Sequence, residues 1–154
     1  MPSKSPAAVC KPAIRQRENN RSMPPGIIIP ELVYAETKAT VTWLCQTFGF
    51  KERLRIGDHR AQLVFGEASL IVVARNHSPA GSDSQTHSVM VRVVDVDTHY
   101  QHAKQCGAHI LNPPETYPFG ERQYTVEDPG GHRWTFTQSV ADVAPETWGG
   151  QAAL

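Results

Sequence analysis

Seven histidines and three cysteines are the side chains best able to do chemistry in this sequence, so their spacing is the first test. Cys10, Cys45 and Cys106 form no CxxC pair, and an odd count argues against a disulfide framework and for a reducing compartment. A cysteine nucleophile needs a base and exposure, whereas Cys45 and Cys106 fall on apolar helix faces and read as small core residues. His59 falls in a turn, His77 in a polar linker and His132 beside the last turn, while His99, His102 and His109 surround one helix. His99 and His102 share a face at i,i+3 spacing, which suits two exposed side chains better than a zinc pair. Gly130-Gly131 is a hairpin turn, and no GxGxxG or Walker pattern exists to cradle a phosphate. Glu121 and Arg122, just after Phe119-Gly120, bring an acid and a base to one place, and a solvated ion pair explains them equally well.

The elements that must position these groups begin at Ile27. IIIPELVY (residues 27–34) is a β-rich run, with Pro30 suited to an edge or a strand end. Thr37 to Phe48 places Val41, Leu44, Cys45 and Phe48 at helical spacing, and Gly49 stops the helix. Residues 51–56, 61–65 and 69–74 read as strands, separated by Gly57-Asp58-His59 and Gly66-Glu67 turns. After a polar linker the same order returns. Residues 88–94 form a strand, and Asp97 is the expected N-cap of a helix carrying Tyr100, Ala103 and Cys106 and ended by Gly107. Strands over 109–111, 123–126 and 132–137 follow, the last two joined by an Asp128-Pro129-Gly130-Gly131 turn. Gly49 and Gly107 lie 58 residues apart, and the repeated element order signals a duplication that residue identity alone would not establish.

The chain has 154 residues, 40% of them hydrophobic, and a formal charge of zero. That zero hides an asymmetry. Residues 1–26 hold five bases, one acid and five prolines, and read as a basic, disordered tail. The remainder carries ten bases against fourteen acids, which disfavours nucleic acid or an anionic membrane surface as partner. No run approaches the roughly 18 apolar residues of a membrane span, and a cytoplasmic location is expected. The expected organisation is a tail (1–26), a domain over 27–139 made of modules 27–75 and 87–139 around a linker (76–86), and a C-terminal extension (140–154) anchored by Trp148.

With these elements in order, TVTWLCQTFGFKE (40–52), VVDVDTHYQHAKQCGA (93–108) and FGERQYTVEDPGGHRWTF (119–136) resemble the vicinal oxygen chelate superfamily. The last motif is closest to the bleomycin-resistance and PhnB-like branch. The resemblance implies an α+β fold in which two βαβββ modules form a curled, eight-stranded mixed sheet around a shared cavity, with helices on the convex side, and a homodimer. On that geometry, sheet alternation points Leu32, Tyr34, Ser88, Met90, Arg92, Tyr124, Arg133 and Thr135 into the cavity, with Tyr117 and Phe119 capping it and Arg122 at its mouth. Trp134 and Phe136 then lie beneath a helix.

The resemblance also reserves metal-ligand positions on the first and last strand of each module. Here they fall on Ile29 or Pro30, on about Val72, on Ser88 and on Thr135, none of which suits a divalent ion. His87, one residue from Ser88, enters the ligand slot only through a bulge or a register shift. The expectation is therefore a protein without a cofactor that binds a small aromatic or anionic molecule. Two alternatives stand beside it: a metal-dependent lyase, isomerase or dioxygenase with an unconventional site near His87, Glu121 and Tyr124, and a structural or regulatory dimer.

Overall fold

The computed structural model describes residues 20–77, 86–129 and 131–153. The first module comprises β1 (Ile28–Tyr34), α1 (Thr37–Phe48), β2 (Lys51–Ile56), β3 (Arg60–Phe65) and β4 (Ala68–Ala74). The second comprises β5 (His87–Arg92), α2 (Val96–Gln105), β6 (His109–Thr116), β7 (Glu121–Glu127) and β8 (Arg133–Ser139). Most of the expected linker, residues 78–85, lies outside the described residues.

Local sequence explains the helix ends. Gly49 terminates α1 at φ 80°, a left-handed conformation open to glycine, and its N–H reaches Cys45 O at 3.2 Å. The N-cap of α2 is Asp95, not Asp97 as the sequence suggested. Asp95 is extended, so its carboxylate accepts from Thr98 N at 3.1 Å and from Thr98 Oγ1 at 2.8 Å. Asp97 sits in the first turn and accepts instead from Arg122.

The nine strands among the described residues form one open mixed sheet in the order β6-β7-β8-β5-β1-β4-β3-β2-β9. Each module repeats the same internal arrangement, its first strand parallel to its last, and the modules join within the chain through antiparallel β1 and β5. The ninth strand, β9 (Gly150–Ala152), exceeds the expected eight: the C-terminal extension returns to pair with β2. It also blunts an edge strand that would otherwise lie open.

Both helices cover one face. Under α1, Val41 and Leu44 pack on Ala61, Leu63, Leu70 and Val72. Under α2, Val96 packs with Val93, Tyr124 and Val126, joined by Trp134 and Phe136 as expected. On the opposite, concave face, Ile29, Ile71, Val73 and Met90 straddle the seam between modules and are covered by Met23.

That last residue corrects the reading of residues 1–26 as a tail. Residues 1–19 lie outside the described residues, but Asn20, Ser22, Met23 and Pro24 are buried and form a strap across the concave face. Its polarity is the reason: several backbone carbonyls of the strap meet donors from the sheet. Gln62 donates to Ser22 O (2.8 Å), Arg53 to Arg21 O (2.7 Å) and Arg92 to Pro24 O (3.1 Å). A Pro-rich segment without apolar periodicity thus finds order in tertiary hydrogen bonds.

Candidate functional site

Residues paired across strands share a face, so the register sorts every candidate. Ile29 pairs with Met90 and Glu31 with Ser88 on the concave side, while Leu32 pairs with His87 on the helix side. Met90 pairs onward with Thr135, and Thr135 with Thr125. The inward residues of the two central strands are therefore Ile29 and Glu31 on β1, and Ser88, Met90 and Arg92 on β5.

A cavity of about 450 Å³ lies on this face, with walls from both modules. Its apolar part includes Met23, Ile56, Ile71 and Met90. Tyr117, Phe119 and Trp148 supply an aromatic side, the first two stacked at 5.3 Å and 5° and the last 5.4 Å from Phe119. The polar part centres on Glu31, whose side chain is 5% exposed. Arg60 Nη2 donates to Glu31 Oε1 at 2.8 Å and Ser88 Oγ to Glu31 Oε2 at 3.1 Å. A carboxylate so enclosed is held by its partners, since burying it alone would be strongly unfavourable. Gln62, Gln123, Thr125 and Thr135 add neutral hydrogen-bonding groups. Burial, reinforced by His77 and Arg60, holds the His59 imidazole below its ordinary range, and burial together with Glu115 pushes the Tyr117 phenol up. The wall's carboxylate and guanidinium, Glu31 and Arg60, are paired with each other.

The two ends of the described chain build the roof. Arg21 bridges to Asp142 (3.2 Å), Ser22 Oγ donates to Val143 O (3.0 Å), and Trp148 Nε1 donates to Ser22 Oγ. Fully buried Glu121 accepts from Asn20 Nδ2 (2.8 Å) and Thr137 Oγ1 (2.7 Å), which fixes the strap to β7. Gly120 permits this closeness: a Cβ there would stand 2.4 Å from Ala141 O, and its φ is +84°. Trp148 thus docks within its own chain.

Of the expected cavity residues, Met90, Tyr117, Phe119 and Thr135 line it, and Ser88 contributes by holding Glu31. Arg92 is inward and buried but is spent on Pro24 O, and Arg133 is not among the lining residues. Leu32 and Tyr34 pack beneath α1, and Tyr124 packs beneath α2, where its hydroxyl meets His99 Nδ1. Arg122 is on the helix side as well, paired with Asp97. The reason is a one-residue phase. The 58-residue offset between the glycine stops lays Leu32 on Met90, yet these residues occupy opposite faces, because the sheet relates the modules through an odd offset. The same phase hid Glu31, the one charge in the apolar run IIIPELVY, and with it Arg60, Gln62 and Gln123. Cys106, expected in the core, is exposed.

The alternative site is not assembled. Glu121 and Tyr124 occupy opposite faces of β7. His87 continues the β1–β5 register without a bulge, on the helix side, with its ring 5.5 Å from that of His132. The inward positions also fail the donor test for a divalent ion. Ile29, Ile71, Val73, Met90 and Thr135 offer hydrocarbon, thioether or neutral hydroxyl, and Glu31 already serves Arg60 and Ser88. Among the described residues no three of His, Cys, Asp or Glu converge. The described residues do not fit a metal at these positions.

The family model described as Glyoxalase/Bleomycin resistance protein/Dioxygenase superfamily matches residues 27–136. Uncharacterized proteins of Mycobacterium bovis and Mycobacterium tuberculosis are 30% identical over 69 residues, 45% of this chain. The matched stretch covers 45% and 41% of those proteins, so the chain spans less than half the length of these curated relatives. Among solved structures, a glyoxalase/bleomycin resistance protein/dioxygenase superfamily member from Vibrio splendidus superposes with a TM-score of 0.56 at 18% identity, over 72% of this chain and 97% of its own. Methylmalonyl-CoA epimerase from Mycobacterium tuberculosis does so with a TM-score of 0.62 at 15% identity, over 80% and 91%. At these identities the likeness is one of fold.

Proposed function

The chain belongs to the glyoxalase/bleomycin resistance protein/dioxygenase superfamily, and from that premise we propose that it binds a small, flat, largely apolar molecule in the cavity between its modules, without a metal ion. The observation that carries this reading is the cavity's composition. About 450 Å³ is within the range of small-molecule sites, and three clustered aromatic rings share its lining with one part-buried ion pair. The rings suit a planar body. The Glu31–Arg60 pair suits a group that both donates and accepts, such as an amide, because each partner retains capacity beyond their mutual bond. A plain anion is less well served, since Arg60, the guanidinium at the wall, already faces Glu31.

Thermal shift with 2-naphthamide and 2-naphthoate tests this reading. A ligand at 100 times its Kd adds about 2.7 kcal/mol of stability, which in a chain of this size raises Tm by about 5–10 °C. Thr125→Trp, on the cavity wall, should fill the space and remove the shift while the far-ultraviolet circular dichroism stays unchanged. No shift from either compound, or a shift that survives Thr125→Trp, contradicts the proposal.

A further inference from the structure

The modules repeat their topology but not the way their helices meet the sheet. The inner face of α1 presents Thr37, Val41 and Leu44, all buried, and Phe50, just ahead of β2, packs against that cluster. The inner face of α2 presents Val96, Tyr100 and Ala103, and the residue just ahead of β6 is Ala108. Where one module has leucine and phenylalanine the other has two alanines. Leu44 and Phe50 fill the ground beside α1, whereas beside α2 a groove stays open.

That hollow measures about 590 Å³ and lies on the opposite side of the sheet from the cavity between the modules. Tyr124, Trp134 and Phe136 form aromatic walls, with the Trp134 and Phe136 rings nearly parallel at 13°. Ala103 and Ala108 line it too, and exposed Cys106 stands at its mouth. Its charged lining residues are both acidic. Glu127 lies 3.5 Å from the exposed His109 ring, and Asp128 accepts from His132 N and Trp134 Nε1. No lysine or arginine is among the lining residues.

From the hollow's shape and charge, we infer that the space beneath α2 is a second ligand site, for a flat aromatic molecule bearing a protonated amine. The ring slides between α2 and the aromatic wall, and the ammonium sits at the Glu127–Asp128 end, where two carboxylates and the faces of electron-rich rings favour a cation.

Calorimetry with 1-naphthylmethylamine, against 1-naphthalenemethanol and 1-naphthoate, tests ring and charge separately. Saturable binding of the amine is expected, about fivefold tighter than the alcohol, with the carboxylate weakest. Glu127→Gln should erase most of the preference over the alcohol. Ala108→Phe and Ala103→Leu copy the filled module and should abolish binding without lowering Tm. If both variants misfold, the native protein decides. Saturating amine should slow alkylation of Cys106, followed by peptide mass spectrometry. No saturable binding, equal affinity for the alcohol, persistence in a folded Ala108→Phe protein, or unprotected Cys106 would each overturn the proposal.

Discussion

Replacing Met23 by alanine separates a strap that holds the sheet from a tail that merely precedes it. Met23 is 6% exposed and sits on Ile29, Ile71, Val73 and Met90, at the seam of the modules. Losing the side chain beyond Cβ forfeits about 2 kcal/mol of transfer free energy. A sealed void would add to that, but Met23 also lines the 450 Å³ cavity, so water can enter the vacated space. The cost should therefore fall at about 2–3 kcal/mol, the lower part of the usual range for methionine-to-alanine changes in a core. For a chain of this length that is a fall in Tm of about 5–10 °C. Urea unfolding followed by circular dichroism should show a lower midpoint at an unchanged slope, the mark of altered stability in an intact fold. A loss below about 0.5 kcal/mol, typical of a surface substitution, would refute the reasoning and return residues 20–26 to the tail.

Two further expectations follow from α2. Burial, with His102 nearby, holds the His99 imidazole below its ordinary range, whereas in the unfolded chain it titrates near about pH 6.5. Its contribution to stability is thus complete above that pH and is lost on acidification, as the unfolded chain takes up a proton that folded His99 resists. His99→Phe, whose ring would keep the 4.0 Å contact with Phe136, should flatten the fall in urea midpoint below about pH 6.5, and identical slopes would contradict it. Asp95→Ala should cost about 1 kcal/mol as a lost N-cap, against a few tenths for Asp97→Ala, an exposed partner of Arg122, and the reverse order in thermal unfolding would move the cap.

The sequence by itself determined the order of β1 to β8 and the two helices, because each of these elements carries its own local signal. Val41, Leu44 and Gly49 mark α1, and Asp128-Pro129 marks the β7–β8 turn, with no need of distant partners. It also determined the family, a question of residue type and motif order. It faced Met90 and Thr135 inward as the structure does, but the phase of β1 and β7 was beyond it. Alternation shows that neighbours oppose one another, but the absolute phase is set by pairing with a strand many residues away, and a one-residue error put Leu32 where Glu31 stands. The strap and β9 were equally illegible. Asn20, Ser22 and Gly150 have no periodicity of their own, and their order comes from Glu121, Gln62 and Ile56, residues that folding alone brings near. Local chemistry wrote the parts of this protein, and long-range registry decided which of them meet in the cavity.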